Sequence, residues 1–282
     1  VHEVYRAWRR IVDSYPGDRM LVGEAWVAGA QRRARYLRPG ELHTAFNFDF
    51  LKADWDAEQL RGVIDRCLAA DSAVGAPTTW VLANHDVVRE VTRYGGGEQG
   101  LRRARAAALL MLALPGGAYV YQGEELGLEE VLDLPEELLQ DPTWERSGHT
   151  VRGRDGCRVP IPWSAQGPSL GFGPGEPWLP QPSGWAALSV QSQDGVAGST
   201  LELYRAGLQL RRRLLRGSSM RWLDSSPEAL VFRRDEAAGS VVCAVNLGAT
   251  VLPLPPHEEV LLASGPLDGS IPTDTAVWLR VT

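Results

Sequence analysis

The chain has 282 residues, 44% of them hydrophobic and 23% charged, with a formal net charge of −6. That balance suits a soluble globular protein with ample core, arranged as one large domain or a domain plus a smaller one. It excludes the basic face of a nucleic-acid-binding protein, and no apolar run reaches the ~18 residues of a membrane span.

In chain order, helices and strands alternate. Val4, Trp8, Ile11 and Val12 share one face at helical spacing, and Pro16 and Gly17 end that first helix. The chain opens inside this helix without an initiator methionine, so Val1 is expected to continue from earlier residues. The run "RMLVGEAW" predicts a strand, and "HTAFNFDF" a second, followed by the helix "DAEQLRGVIDRCLAA". "TTWVLANHD" predicts a third strand, "GLRRARAAALLMLALPG" a long alanine-rich helix, and "GAYVYQGEELGL" a fourth strand. Such alternation implies βαβ units with parallel pairing, either half of an eight-stranded barrel or an open doubly wound sheet. Residues 129–198 are rich in Pro, Gly, Trp and acidic residues with little periodicity, and an excursion of that length usually carries function. The helix "TLELYRAGLQLRRRLL" follows, and from Ser218 short alternating segments separated by turn signals predict a small all-β unit.

Cys67, Cys157 and Cys243 are too scattered for a disulfide framework or a zinc site, which points to free thiols in a reducing, cytoplasmic compartment. No metal, cofactor, nucleic-acid or membrane partner is expected. Ten tryptophans suit sugar stacking as well as core packing.

Polar residues gather at the ends of the predicted strands: Glu24 after the first, Asn84, His85 and Asp86 after the third, Gln122 and Glu124 after the fourth. In a parallel barrel that end carries the active site. Paired carboxylates across a cleft are what glycosidic cleavage requires, one giving a proton to the leaving oxygen and one staying charged beside an oxocarbenium-like transition state. Taken singly, each residue has a structural reading: Glu24 as a solvated strand end, His85 and Asp86 as a helix cap, Arg158 as a loop ion pair.

"LVGEAW", "LANHDVVR" and "VYQGEELGL" resemble three motifs of the α-amylase family, glycoside hydrolase family 13. "RDGCRVPIPW" and "LPEELLQDPTWERSG" resemble segments of its α-glucosidase and oligo-1,6-glucosidase branch. The resemblance implies the second half of a (β/α)8 TIM barrel over residues 1–217, in four βα units, followed by an antiparallel C-terminal domain over 218–282. It implies Glu24 as general acid/base, Asp86 as the carboxylate that grips sugar hydroxyls and stabilises the transition state, and His85 as a sugar ligand. Arg158 would reach the substrate or a catalytic carboxylate. Arg89 and Arg93 also fall at motif positions, where structural ion pairs are equally expected, and Gln122 and Glu124 read as structural.

The family's nucleophilic aspartate belongs to a motif absent from this chain, and without it a retaining glycosidase cannot form its covalent intermediate. Two readings therefore stand. In one, the chain is the C-terminal part of a retaining α-glucosidase acting on short α-glucosides such as maltose or maltooligosaccharides. In the other, it is a catalytically incomplete half barrel that binds carbohydrate or mediates assembly. Both expect a partner, the N-terminal half of the barrel or a second copy, because a half barrel leaves open sheet edges.

Overall fold

The computed structural model describes residues 1–217, 219–236 and 239–282. The first part runs α1 (His2–Asp13), β1 (Val22–Gly23), α2 (Ala30–Ala34), β2 (Thr44–Ala45), α3 (Phe48–Leu51), α4 (Ala57–Ser72), β3 (Thr79–Val81), α5 (Glu90–Arg93), α6 (Gly97–Ala113) and β4 (Gly117–Tyr119). The expected strands are present and parallel, but each is only two or three residues long. They pair as two separate ladders, β1 with β2 and β3 with β4, rather than as one continuous sheet. Between the ladders, the Thr79 hydroxyl donates to the Ala45 carbonyl.

The second half of "HTAFNFDF" departs from the predicted strand and is helical. Asn47 Oδ1 accepts from the Phe50 backbone N–H at 3.2 Å, and this local bond caps α3 and ends the extended backbone. Asp56 likewise caps α4 by accepting from the Gln59 N–H at 2.7 Å. Leu60, Ile64 and Cys67 then turn one buried face inward.

The excursion after β4 holds α7 (Pro142–Arg146), α8 (Val190–Gln193) and several 3-10 turns, ahead of α9 (Thr200–Leu214). It is not loose chain. Leu128, Val131, Val159, Ile161, Leu179 and Trp185 form an apolar cluster of its own, with Leu201 of α9.

The C-terminal strands are β5 (Arg221–Trp222), β6 (Ala229–Arg234), β7 (Ser240–Asn246), β8 (Leu252–Pro253), β9 (Glu259–Ala263), β10 (Ser270–Ile271) and β11 (Thr275–Val281). Five form an antiparallel sheet in the order β5-β6-β7-β11-β9, and β8 pairs with β10. The expected domain boundary at Ser218 lies outside the described residues. On either side of it the core is shared: Trp80, the α4 and α6 side chains, Phe232, Cys243 and Trp278 belong to one buried cluster. Every residue of α6 from Ala106 to Ala113 is buried, because the helices and β3 of the first part cover one flank and the C-terminal sheet the other. Trp278 Nε1 donates to the Leu109 carbonyl at 3.1 Å across that contact.

Helix α1 is the exception to apolar-side-in packing. His2, Arg6 and Arg38 converge on the buried Glu41 carboxylate at 2.7, 2.9 and 3.0 Å. The apolar stripe of Val4, Trp8 and Ile11 faces outward and is 46%, 50% and 57% exposed. No helix among the described residues is long and apolar enough to cross a membrane.

Candidate active site

The C-terminal ends of the four parallel strands converge on one cleft of about 180 Å³, lined by Glu24, Phe46, Val81, Ala83, Asn84, His85, Tyr119, Val120 and Tyr121. Glu24 follows β1 directly, and its carboxylate is exposed at the mouth. His85 and Asp86 follow β3. Asn84 Oδ1 accepts from the Asp86 backbone N–H at 2.9 Å, an Asx turn that stops the strand and fixes where Asp86 points. Polar atoms of Glu24, His85 and Asp86 lie within 4.8 Å of one another, and His85 Nε2 is 3.6 Å from Asp86 Oδ1. That spacing would suit a small divalent ion, but the charge around Asp86 does not.

Two guanidiniums already hold Asp86. Arg154 donates to Oδ1 at 2.7 Å and Arg158 at 3.2 Å, and Arg158 Nε also donates to the His85 carbonyl at 2.9 Å. Partial burial would raise the Asp86 pKa. The Arg154 hydrogen bond and the charges of His85, Arg154 and Arg158 outweigh it and hold the carboxyl below its ordinary range. Asp86 is therefore a fixed anion. Both guanidiniums take Oδ1, so Oδ2 receives no hydrogen bond from the described residues.

Arg154 is itself braced. It pairs with the buried Asp141, and that bond, outweighing burial, holds the Asp141 carboxyl far below the usual carboxylate range. Asp141 caps α7 through the Thr143 N–H at 2.9 Å, with Pro142 at the first helical position. Asp155 Oδ2 accepts from the backbone N–H groups of Gln140 and Asp141 at 2.7 and 2.9 Å. The 129–198 excursion is thus a rigid bracket that presents two arginines to one aspartate. Sequence reasoning singles out Arg158 but misses Arg154 and Asp141. The "QDPTW" run signals a helix start, yet nothing in it signals the ion pair.

Arg89 and Arg93 form no side-chain ion pair among the described residues. Arg89 is buried and donates to the carbonyls of Gln122 and Cys157 at 2.8 and 2.9 Å, and Arg93 donates to those of Val88 and Leu82. Glu124 is buried and accepts from the Tyr204 hydroxyl at 2.7 Å, away from the cleft. Burial pushes the Cys157 thiol up to about 12, which leaves it a thiol and not a nucleophilic thiolate at neutral pH.

Residues 1–217 match the family profile described as alpha amylase, catalytic domain. A probable alpha-glucosidase of Rhizobium meliloti is 31% identical over 251 residues, covering 87% of this chain and 45% of the relative. A probable oligo-1,6-glucosidase of Bacillus subtilis is 26% identical, covering 81% of this chain and 47% of the relative. Among solved structures, an alpha-glucosyl transfer enzyme, XgtA, superposes with a TM-score of 0.86 at 35% identity, over 99% of this chain and 54% of its own. An isomaltulose synthase from Erwinia rhapontici shares the fold, with a TM-score of 0.84 at 20% identity. The chain spans about half the length of the curated relatives it matches.

Proposed function

Because the chain belongs to the α-amylase catalytic-domain family, we propose that it is the C-terminal part of a retaining α-glucosidase that releases glucose from the non-reducing ends of short α-glucosides such as maltose. The observation that carries this reading is the convergence of Glu24 and Asp86, from two different strand ends, within 4.8 Å of each other and of His85. Glu24 gives a proton to the glycosidic oxygen as the bond to the anomeric carbon breaks. A carboxylate contributed by the remainder of the barrel takes that carbon on the opposite face. Glu24, now ionised, then accepts a proton from the water that frees the sugar. Asp86, kept ionised by Arg154 and Arg158, stabilises the positive charge that develops on the ring and offers Oδ2 to sugar hydroxyls. His85 donates to the same sugar.

The catalytic site is completed by the other half of the barrel, since a second copy of this chain could cover the open strand edges but would bring no nucleophile, and the free thiols fit a cytoplasmic setting. In the full-length protein, Glu24→Gln lowers maltose turnover by ~10²–10⁴ and costs much less on an aryl α-glucoside whose leaving group needs little protonation. Asp86→Asn lowers both rates alike. Wild-type maltose turnover in Glu24→Gln would sink the assignment. Maltose binding without turnover, in the full-length protein as well as in this chain, would turn the reading to a sugar-binding half barrel.

A further inference from the structure

The acid of a glycosidase must do more than carry a proton, since it has to present that proton from one particular oxygen toward the leaving group. Next to Glu24 lies a group suited to decide which oxygen that is. Trp26 Nε1 donates to Glu24 Oε1 at 3.2 Å. The two residues are separated by Ala25 alone, just beyond the end of β1, where the Val27 N–H donates to the Ala25 carbonyl at 2.9 Å and turns the backbone at Trp26. The indole is held independently of Glu24. Its ring stacks on Phe48 at 3.8 Å between centroids with 9° between planes, and Lys52 Nζ, from the chain's single lysine, sits 4.5 Å over it. Phe48 in turn packs with Phe46 and Tyr119, which line the cleft and meet edge-on at 4.8 Å.

Resting on the reading of Glu24 as the acid, we infer that Trp26 is its positioning residue: the indole N–H pins Oε1, so the catalytic proton is carried and delivered by Oε2. The chemistry follows from the indole nitrogen being a donor only. It cannot accept a hydrogen bond, and the carbonyl oxygen of a protonated carboxyl is a much better acceptor than its hydroxyl oxygen, so a protonated Glu24 that keeps this contact favours the proton on the other oxygen. The ionised form keeps the same contact, so the carboxylate does not turn between giving its proton and taking one from water. A staggered rotamer alone leaves the terminal carboxylate torsion of glutamate broad, and the pinned oxygen removes that freedom. Trp26 is 47% exposed, and an indole at a cleft mouth could instead serve as a sugar platform. The two roles leave different kinetic marks.

The test uses the full-length enzyme and two substrates, maltose and an aryl α-glucoside with an acidic leaving group. Trp26→Phe keeps an aromatic ring against Phe48 and removes the N–H. We expect it to lower kcat on maltose by ~10-fold or more, to change kcat on the aryl glucoside by less than ~3-fold, and to leave KM for maltose within ~2-fold. Equal losses on both substrates, or a rise in KM with kcat unchanged, would overturn the inference, the second in favour of a platform. Glu24→Gln is run alongside. If it retains maltose turnover, the acid assignment itself fails. If it loses turnover while Trp26→Phe does not, only the positioning role fails. Should Trp26→Phe not fold, the indole N–H resonance of Trp26 provides the check: it shifts in Glu24→Gln if the contact exists, and an unmoved resonance overturns the proposal.

Discussion

At the scale of single residues, the most demanding groups lie behind the cleft. Glu90 and Glu124 are each 1% exposed. Neither oxygen of Glu90 has a hydrogen-bond partner among the described residues. Burial raises both pKa values, and for Glu124 the neighbouring Glu90 charge adds to it. A carboxyl whose folded pKa is raised favours the fold below the unfolded value of about 4.3, and that contribution is lost as pH climbs toward the folded value. The wild-type Tm is therefore expected to fall between pH 5 and pH 8 more steeply than that of Glu90→Gln, by ~2–4 °C across the interval, readable by calorimetry of both proteins. Parallel slopes would show that Glu90 titrates normally. The same scale shows what the sequence can express. The places of Glu24, His85 and Asp86 are legible because each directly follows an apolar run whose direction the alternation sets. Arg154 is not, because its partner Asp86 lies 68 residues back and the pairing exists only once the excursion is folded. Trp26 sits in plain view two residues from Glu24, but a hydrogen bond is invisible in a string of letters.

At the scale of elements, the order of helices and strands is readable from periodicity, whereas strand length is not. Predicted strand segments of eight to twelve letters yield ladders of two or three residues, and after β2 and β3 the reason is that Asn47 and Asn84 bend the backbone into turns where hydrophobicity alone would extend it. One glycine decides whether a ladder forms at all. Gly116 has φ +105°, and a Cβ there would collide with the Thr78 carbonyl oxygen, which accepts the 2.8 Å bond from Gly117 that starts the β3–β4 pairing. Gly116→Ala is expected to cost ~2 kcal/mol or more, through both backbone strain and the displaced carbonyl. Gly75→Ala, at φ +73° in open space, costs about 1 kcal/mol from backbone strain alone. Denaturant titration of the two variants separates these, and equal losses would mean the Thr78 approach is relieved by a small shift.

At the scale of the whole molecule, the outward stripe of α1, the exposed Val22 of β1 and the exposed Val120 just after β4 put apolar surface where water meets it. Surface of this kind is normally covered. The isolated chain is expected to self-associate at micromolar concentration, and Trp8→Glu to shift sedimentation toward the monomer. A wild-type chain that sediments as a single monomeric species would count against a half barrel that needs a complement. The shared core was hidden from the sequence, where the change of texture near Ser218 suggests two separate units. Its basis is distance along the chain, since Leu109 of α6 finds Trp278 of β11 only 169 residues later. On the ribosome that interval lasts on the order of 10–30 s. Strand β11 lies between β7 and β9, so β9 too must wait for it before it can pair. Until β11 arrives, part of the apolar flank of α6 stays uncovered, which makes this helix a stretch of the nascent polypeptide where a chaperone would be engaged.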